Sequence, residues 1–380
     1  MLDWLIIGGG LHGSHIARRL QAACPGAAVA VMDPAASALS AWQRRANACG
    51  MFYLRSSQAH HLGLRADALR VFAREHGYDA SHSLGRYRRP SRGLFEAHAE
   101  AVTSTVPRIA ARAEAIAPQG HDWQVTTRAG AHYTARRLVL APGPPAPQRP
   151  RWGSELAHVF DQHFAARSAN WSAAAHIAIV GGGISAAQYA TACARAGHAV
   201  TMLSRHPLRQ CAFDSDPCYA GPRCLTTFAR LPLAQRPALL AQVRNPATMP
   251  ADVHAELAAL LATSAVRWLR GDVVALHDDG LRLADGRRVA ADRVVLATGF
   301  AAGAGPLLEH VAQHLQLPLD SHGYAHIDAR LAWAPGLHVA GRPASLRLGP
   351  MAGNIRGAQL AGKRLAAMAH HAASRAPDHA

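Results

Sequence analysis

The sequence predicts an α/β chain made of two Rossmann-like dinucleotide-binding domains, each with a small antiparallel β insertion, and three observations carry that prediction. An apolar run, Leu5-Ile6-Ile7, enters the glycine loop Gly8-Gly9-Gly10-Leu11-His12-Gly13 and continues into a helical pattern and a second apolar strand ending on Asp33. The same order recurs from His176: an apolar strand, Gly181-Gly182-Gly183-Ile184-Ser185-Ala186, a helical stretch and a strand through Leu203. Each half then closes with a buried-strand pattern ending on Ala-x-Gly, as Ala141-Pro142-Gly143 and as Ala297-Thr298-Gly299. Self-similarity of this length marks two related units in one chain.

In the first unit each residue type has a physical job. Gly8 permits the tight turn, Gly10 lets the backbone approach a pyrophosphate, and Gly13 lets helix and strand pack closely. The pyrophosphate then meets unpaired N–H groups at the positive end of the helix. Asp33, twenty residues beyond Gly13, is spaced to accept hydrogen bonds from a ribose. Pro34 to Ala48 is helical in composition, and 51–62 is dense in polar groups, including Arg55, Gln58, His60 and His61. Helices are predicted over 66–75 and 91–106, the second with Ser91 as N-cap and apolar residues at helical spacing. From Arg108 to Leu140 short strands alternate with turns at Gln119-Gly120 and Ala129-Gly130, as in a small meander. Pro144 to Pro150 reads as a linker.

The second unit differs where it matters chemically. Its third glycine is Ala186, and after the second strand Ser204-Arg205 replaces the acid, with Arg209 close behind. A carboxylate there would repel a 2′-phosphate, whereas Arg205 can hold one through a charge-assisted contact, the alternative being one more solvated arginine in an Arg-rich chain; this unit is expected to prefer NADPH to NADH. An insertion follows over about 204–265. Paired strands then turn at Asp278-Asp279-Gly280 and Ala284-Asp285-Gly286.

Composition narrows the partners. At 380 residues the chain exceeds what one core usually organises. The first strand begins almost at Met1 and no segment approaches eighteen consecutive apolar residues, so a cytoplasmic chain with no membrane partner is expected. The net charge of +16 suggests nucleic acid, but Lys363 is the single lysine among 40 basic residues and the arginines are spread along the chain, a sequence-wide bias; nucleic-acid binding is not expected.

Two such units in tandem resemble the two-dinucleotide-binding-domain flavoproteins, and in order most closely the flavin-dependent N-hydroxylating (lysine/ornithine N-monooxygenase-like) class B monooxygenases. The resemblance covers nearly the whole chain. It implies FAD on the first loop and NADPH on the second. The implied boundaries are an FAD-binding domain over 1–148, an NADPH-binding domain over 149–299, and a return to the FAD-binding domain over 300–380. Gly336 to Gly341 is similar to the returning strand, and Leu348-Gly349-Pro350-Met351-Ala352-Gly353-Asn354 to the opening of a last helix. There Pro350 suits a first helical position and free N–H groups face the flavin N1/C2 edge. The implied cofactor-binding residues are therefore Gly8, Gly10, Gly13 and Asp33, then Gly181, Gly183, Ala186, Ser204 and Arg205, then Gly341, Gly349, Pro350 and Met351. The implied activity is NADPH-driven monooxygenation through a C4a-peroxyflavin, with molecular oxygen and a small amine-bearing substrate as partners; the oligomeric state is left open.

Other residues of the sequence carry chemistry of their own. Arg55, Gln58 and His60 are candidates near the flavin; His60 and His61 have the alternative of capping a helix near Leu62. Asp214 and Asp216 are either substrate-amine ligands or turn and cap residues. Two further functions stay open: an NADPH-dependent flavin reductase or oxidase without a redox disulfide, and a flavin-binding redox sensor without turnover. The six cysteines contain no CxxC, Cys218 and Cys224 being the nearest pair, so reduced, unpaired thiols and no metal site are expected.

Overall fold

The computed structural model describes residues 1–168, 171–172 and 175–373. Its first half is built on strands that are apolar on both faces, the pattern of a parallel sheet covered by helices. Strand β1 (Leu2–Ile7) leads to α1 (Leu11–Ala23) and β2 (Val29–Asp33). There follow α2 (Ser40–Ala48), α3 (Ala68–Glu75) and α4 (Arg92–Thr103), whose N-cap Ser91 accepts from Leu94 N. Strand β3 (Arg108–Ala110) precedes the meander β4 (Ala113–Gln119), β5 (Asp122–Thr127) and β6 (His132–Leu140). Gly120 and Gly130 take positive φ at its two turns, as their positions in the sequence suggest.

The second half begins with β7 (Ala157–His158) and continues through β8 (His176–Val180), α5 (Ile184–Arg195) and β9 (Ala199–Ser204). Three helices follow: α6 (Pro222–Arg230), α7 (Arg236–Gln242) and α8 (Ala251–Ala262). Strand β10 (Val266–Arg270) leads to the antiparallel trio β11 (Val273–His277), β12 (Gly280–Leu283) and β13 (Arg288–Ala290), and then to β14 (Arg293–Leu296). Helix α9 (Pro306–His314), the hairpin β15 (Ala332–Ala334) and β16 (Leu337–Val339), and α10 (Ile355–Ala373) follow.

Apart from the β11–β13 trio, which is a sheet of its own, these strands form two sheets with parallel cores. The first sheet runs β15-β16-β6-β1-β2-β3, with the β4–β5 hairpin extending from β6; the second runs β10-β9-β8-β14-β7. The C-terminal segment thus returns to the first sheet, β16 pairing parallel to β6. Helix α1 packs against both β2 and α10, and α8 packs on α5. Within residues 204–265, α8 therefore belongs to the second layered core together with Met249, and the inserted part lies between β9 and Met249. The two crossings between the halves lie side by side: Gln148 N donates to Gly299 O and Ala301 N to Ala146 O, both at 2.9 Å.

One expectation about the last helix is corrected. Helix α10 begins at Ile355, and 349–354 form turns, because Gly349 takes φ +82° and Asn354 caps the helix. Asn354 Oδ1 accepts from Arg356 N at 3.0 Å and Gly357 N at 3.3 Å, so Pro350 is not a first helical residue.

Candidate cofactor and active site

Both glycine loops stand at the C-terminal ends of central parallel strands, where ligands of open α/β sheets bind. The structure gives the Ala-x-Gly endings a role. A Cβ on Gly8 would collide with the Ala141 carbonyl, and one on Gly181 with the Ala297 carbonyl, so each closing strand abuts its loop. Gly13 is held against the Gly8 carbonyl, while a Cβ on Gly10 would meet nothing within 4 Å. The first loop is therefore closed on the protein side and open where a pyrophosphate would lie. Asp33 is half-buried, accepting from Gly9 N at 2.7 Å and from Ala35 N at 2.9 Å, which fixes its carboxylate at the loop.

Arg108 joins this site, although nothing in its local sequence marks it. Its Nη2 lies 3.5 Å from Gly9 O and 3.4 Å from Ser37 O, while its Nε and Nη1 are buried without a hydrogen-bond partner in the protein. Only the parallel pairing of β3 with β2 brings Arg108 beside Asp33.

The second loop opens into a cleft of ≈ 720 Å³. Ala186 is fully buried, and Gly183 faces the 244–248 segment, whose Ala247 Cα is 3.5 Å from a Cβ built on that glycine. Arg205 is exposed on the cleft wall. Ser204 is occupied structurally: its Oγ donates to His206 O at 2.7 Å and accepts from Trp268 Nε1 at 2.9 Å.

The cleft reaches the junction of the two halves, where Arg55 and Asp214 line it. Arg55 is committed to protein oxygens: Nε donates to Ala212 O at 3.2 Å, Nη1 to Thr248 O at 3.2 Å, and Nη2 to Cys211 O and Thr248 Oγ1, each at 2.8 Å. It fastens the first domain to the insertion. His60 is half-buried, and burial, the Arg356 guanidinium and His61 depress its pKa to about 4, against a small raising effect of Asp214. It is thus a neutral imidazole at pH 7. Gln58 is half-buried, and its backbone N–H donates to Tyr87 O at 3.2 Å. His61 is fully buried, its Nδ1 accepting from Gly63 N and its Nε2 donating to Ala66 O, both at 3.1 Å, so it orders its own loop.

The two acids of the insertion separate in role. Asp216 caps a short 3₁₀ turn, accepting from Cys218 N at 2.9 Å. Asp214 is held at the backbone, its carbonyl accepting from Asn245 N at 2.8 Å, while its carboxylate lines the cleft near Arg55.

The C-terminal residues come to the same place. His12 Nε2 donates to Ala352 O at 2.8 Å, joining the first loop to the 349–353 turns. Met351 is buried, the Pro350 carbonyl accepts from Ser215 Oγ at 3.5 Å, and a Cβ on Gly349 would lie 2.9 Å from Leu225 Cδ2. Gly341 takes φ +82° where β16 ends.

The expectation of six unpaired thiols is overturned at one pair. Cys218 and Cys224 form a disulfide, with Cα atoms 5.6 Å apart, because the 3₁₀ turn carrying Cys218 folds back onto the first turn of α6. Cys24, Cys49, Cys193 and Cys211 are free; burial pushes the Cys49 thiol up to about 12 and that of Cys193 to about 11. Among the described residues no three His, Cys, Asp or Glu side chains are grouped to hold a metal ion, and no helix is long and apolar enough to cross a membrane.

Residues 2–216 match the model of a family described as Pyridine nucleotide-disulphide oxidoreductase. None of the curated proteins matches this chain. Among solved structures it is similar to the ornithine N-hydroxylase of Kutzneria sp. 744, with TM-score 0.80 and 16% identity over 98% of this chain and 100% of that one. It is similar also to L-lysine 6-monooxygenase from Pseudomonas syringae, with TM-score 0.77 and 20% identity over 98% and 100%. The bacillithiol disulfide reductase of Bacillus cereus aligns with TM-score 0.64 and 19% identity over 98% and 99%. At these identities the likeness is one of fold.

Proposed function

This chain belongs to the pyridine nucleotide-disulphide oxidoreductase family, and from that premise we propose that it is an FAD- and NADPH-dependent monooxygenase that N-hydroxylates a small amine. The observation that carries the reading is the continuity of one cleft from the second glycine loop and Arg205 to Arg55 of the first domain and Asp214 of the insertion. In this reading a nicotinamide held by that loop reaches the flavin past Arg55. The fold likeness to ornithine and lysine hydroxylases supports the choice within the family.

FAD, when bound, supplies hydride acceptance and oxygen activation; the protein supplies binding, orientation and electrostatics. The open face at Gly10 and the fixed Asp33 carboxylate fit its pyrophosphate and ribose, with Gly8 and Gly13 shaping the loop. Gly341, Gly349, Pro350 and Met351 would border the flavin ring. Gly181 and Gly183 would receive the NADPH pyrophosphate while the buried Ala186 packs the helix against the loop, and Arg205, on the exposed wall beyond Ser204, would take the 2′-phosphate. Asp214 would hold the neutral substrate amine near the flavin by accepting a hydrogen bond from its N–H, which leaves the nitrogen lone pair free to react. Arg55, tied to four protein acceptors, keeps the insertion closed over the site and excludes water. His60 stays neutral beside Arg356 and so neither donates a proton nor adds charge near pH 7. Gln58 remains available to the flavin edge.

The test is stopped-flow absorbance: flavin reduced anaerobically by NADPH is mixed with oxygenated buffer. A transient species distinct from oxidised and reduced flavin, lasting seconds, supports oxygenation and justifies screening amines. Immediate return to oxidised flavin with stoichiometric peroxide, with and without amines, overturns it in favour of a flavin reductase or oxidase. Absence of reduction by NADPH points to a flavin-binding sensor.

A further inference from the structure

The disulfide lies in the part of the insertion that touches the C-terminal turns. Ser215 Oγ donates to Pro350 O, Arg356 Nε donates to Ala220 O at 2.8 Å, and Leu225 lies against Gly349. Further along α6, Phe228 is buried with Leu240, Tyr324 and Leu346. The ring closed by Cys218 and Cys224 therefore holds the 217–225 segment in the shape that meets 349–356. Both cysteines are only partly buried, so a thiol in solution reaches them.

Their surroundings are unequal. Cys224 occupies the third position of the nine-residue helix α6, beside its unpaired N–H groups and next in sequence to the exposed Arg223. Both features stabilise a thiolate there. Cys218 has the Asp216 carboxylate bound to its own N–H, which opposes negative charge on its sulfur. We propose that Cys218–Cys224 is a thiol–disulfide exchange site whose co-substrate is a dithiol, and that its redox state controls how firmly the insertion covers the flavin site; the second half of this statement rests on the function proposed above.

One thiolate of the dithiol attacks Cys218 Sγ, forming a mixed disulfide and breaking the Cys218–Cys224 bond. Cys224 leaves as the thiolate and takes up a proton. The second thiol of the reductant attacks its own sulfur in the mixed disulfide, closing a cyclic disulfide and releasing Cys218, which also ends protonated. Two electrons pass from the dithiol to the protein. With the ring open, 217–225 loses its constraint and the contacts with Pro350 and Arg356 open more often.

The experiment uses the flavin-loaded full chain with dithiothreitol as reductant and its oxidised form for reversal. Denatured protein isolated without reductant should titrate four thiols, and six after treatment. Tryptic cleavage after Arg223, read by mass spectrometry, should accelerate about tenfold on reduction and return on reoxidation. The double variant C218S/C224S should be cleaved at the reduced rate with or without dithiothreitol. With NADPH and oxygen, reduction should raise the peroxide formed per NADPH consumed. In the single variants, Cys224 of C218S should alkylate with iodoacetamide at pH 7 about tenfold faster than Cys218 of C224S. Six thiols that cannot be oxidised, or a cleavage rate indifferent to redox state, overturn the exchange site. Equal alkylation rates overturn its polarity, and an unchanged peroxide fraction overturns its control of the flavin cover. If every state yields peroxide alone, the monooxygenase reading fails, while thiol counts and cleavage rates still decide the exchange site.

Discussion

Replacing His98 by Phe should reduce the acid sensitivity of this protein. His98 is 1% exposed, its ring 5.2 Å from that of His61 and 5.4 Å from that of Phe72, and neither of its nitrogens has a hydrogen-bond partner in the protein. Burial, reinforced by His61 and Arg18, depresses its pKa from 6.5 to about 3. The unfolded chain therefore binds a proton near pH 6.5 that the folded chain refuses until about pH 3. Because the unfolded state holds more protons in that window, the contribution of His98 is fully present above pH 6.5 and is lost as pH falls. Between pH 7 and pH 5 the loss is about 2 kcal/mol for one such histidine. For a chain of this length, unfolding entropy of about 2.1 cal/mol/K per residue converts this to a melting shift of about 2–3 °C. Phe also removes two unpaired polar atoms, so H98F should melt no lower than the parent at pH 7. Thermal melts by circular dichroism at pH 7 and pH 5 should show a smaller drop for H98F by that margin. An equal drop in both proteins would refute the reasoning. His15, fully buried and held at about 3, leaves a comparable pH dependence in the variant.

Three further outcomes are expected. R205A should raise the KM for NADPH about 10- to 100-fold and leave that for NADH nearly unchanged, since a charge-assisted contact to the 2′-phosphate is lost; initial rates with both cofactors check this. G13V should purify with little flavin, because its side chain would occupy the space of the Gly8 carbonyl; the flavin-to-protein ratio measures it. Arg89 is buried and pairs in bidentate fashion with Asp252 of α8, at 2.9 and 2.7 Å, across the two halves. R89A should cost about 3 kcal/mol, at the low end for a broken buried pair because Asp252 is partly solvated, and should lower the melting temperature by about 4 °C.

The features legible in the linear chain are local in origin. The glycine loops, the apolar runs of β1, β2, β8 and β9, the Ser91 cap and the meander turns depend on neighbours a few residues apart, so composition and periodicity carry them. The duplication also made the two-domain architecture readable, because a repeated pattern reports a repeated fold. Tertiary structure alone decided the rest. Arg108 reaches Asp33 only through the pairing of β3 with β2, and Arg55 spends its guanidinium on acceptors more than 150 residues away. Asp214 and Asp216 have the same chemistry two residues apart, yet one lines the cleft and the other caps a turn. The Cys218–Cys224 bond depends on a turn and a helix end meeting, and no spacing motif announces it. In the C-terminal stretch, the positive φ of Gly349 and the cap at Asn354 start the helix five residues after Pro350. Each is a matter of which distant backbone arrives alongside, an outcome set by the packing of whole sheets and helices rather than by any one stretch of chain.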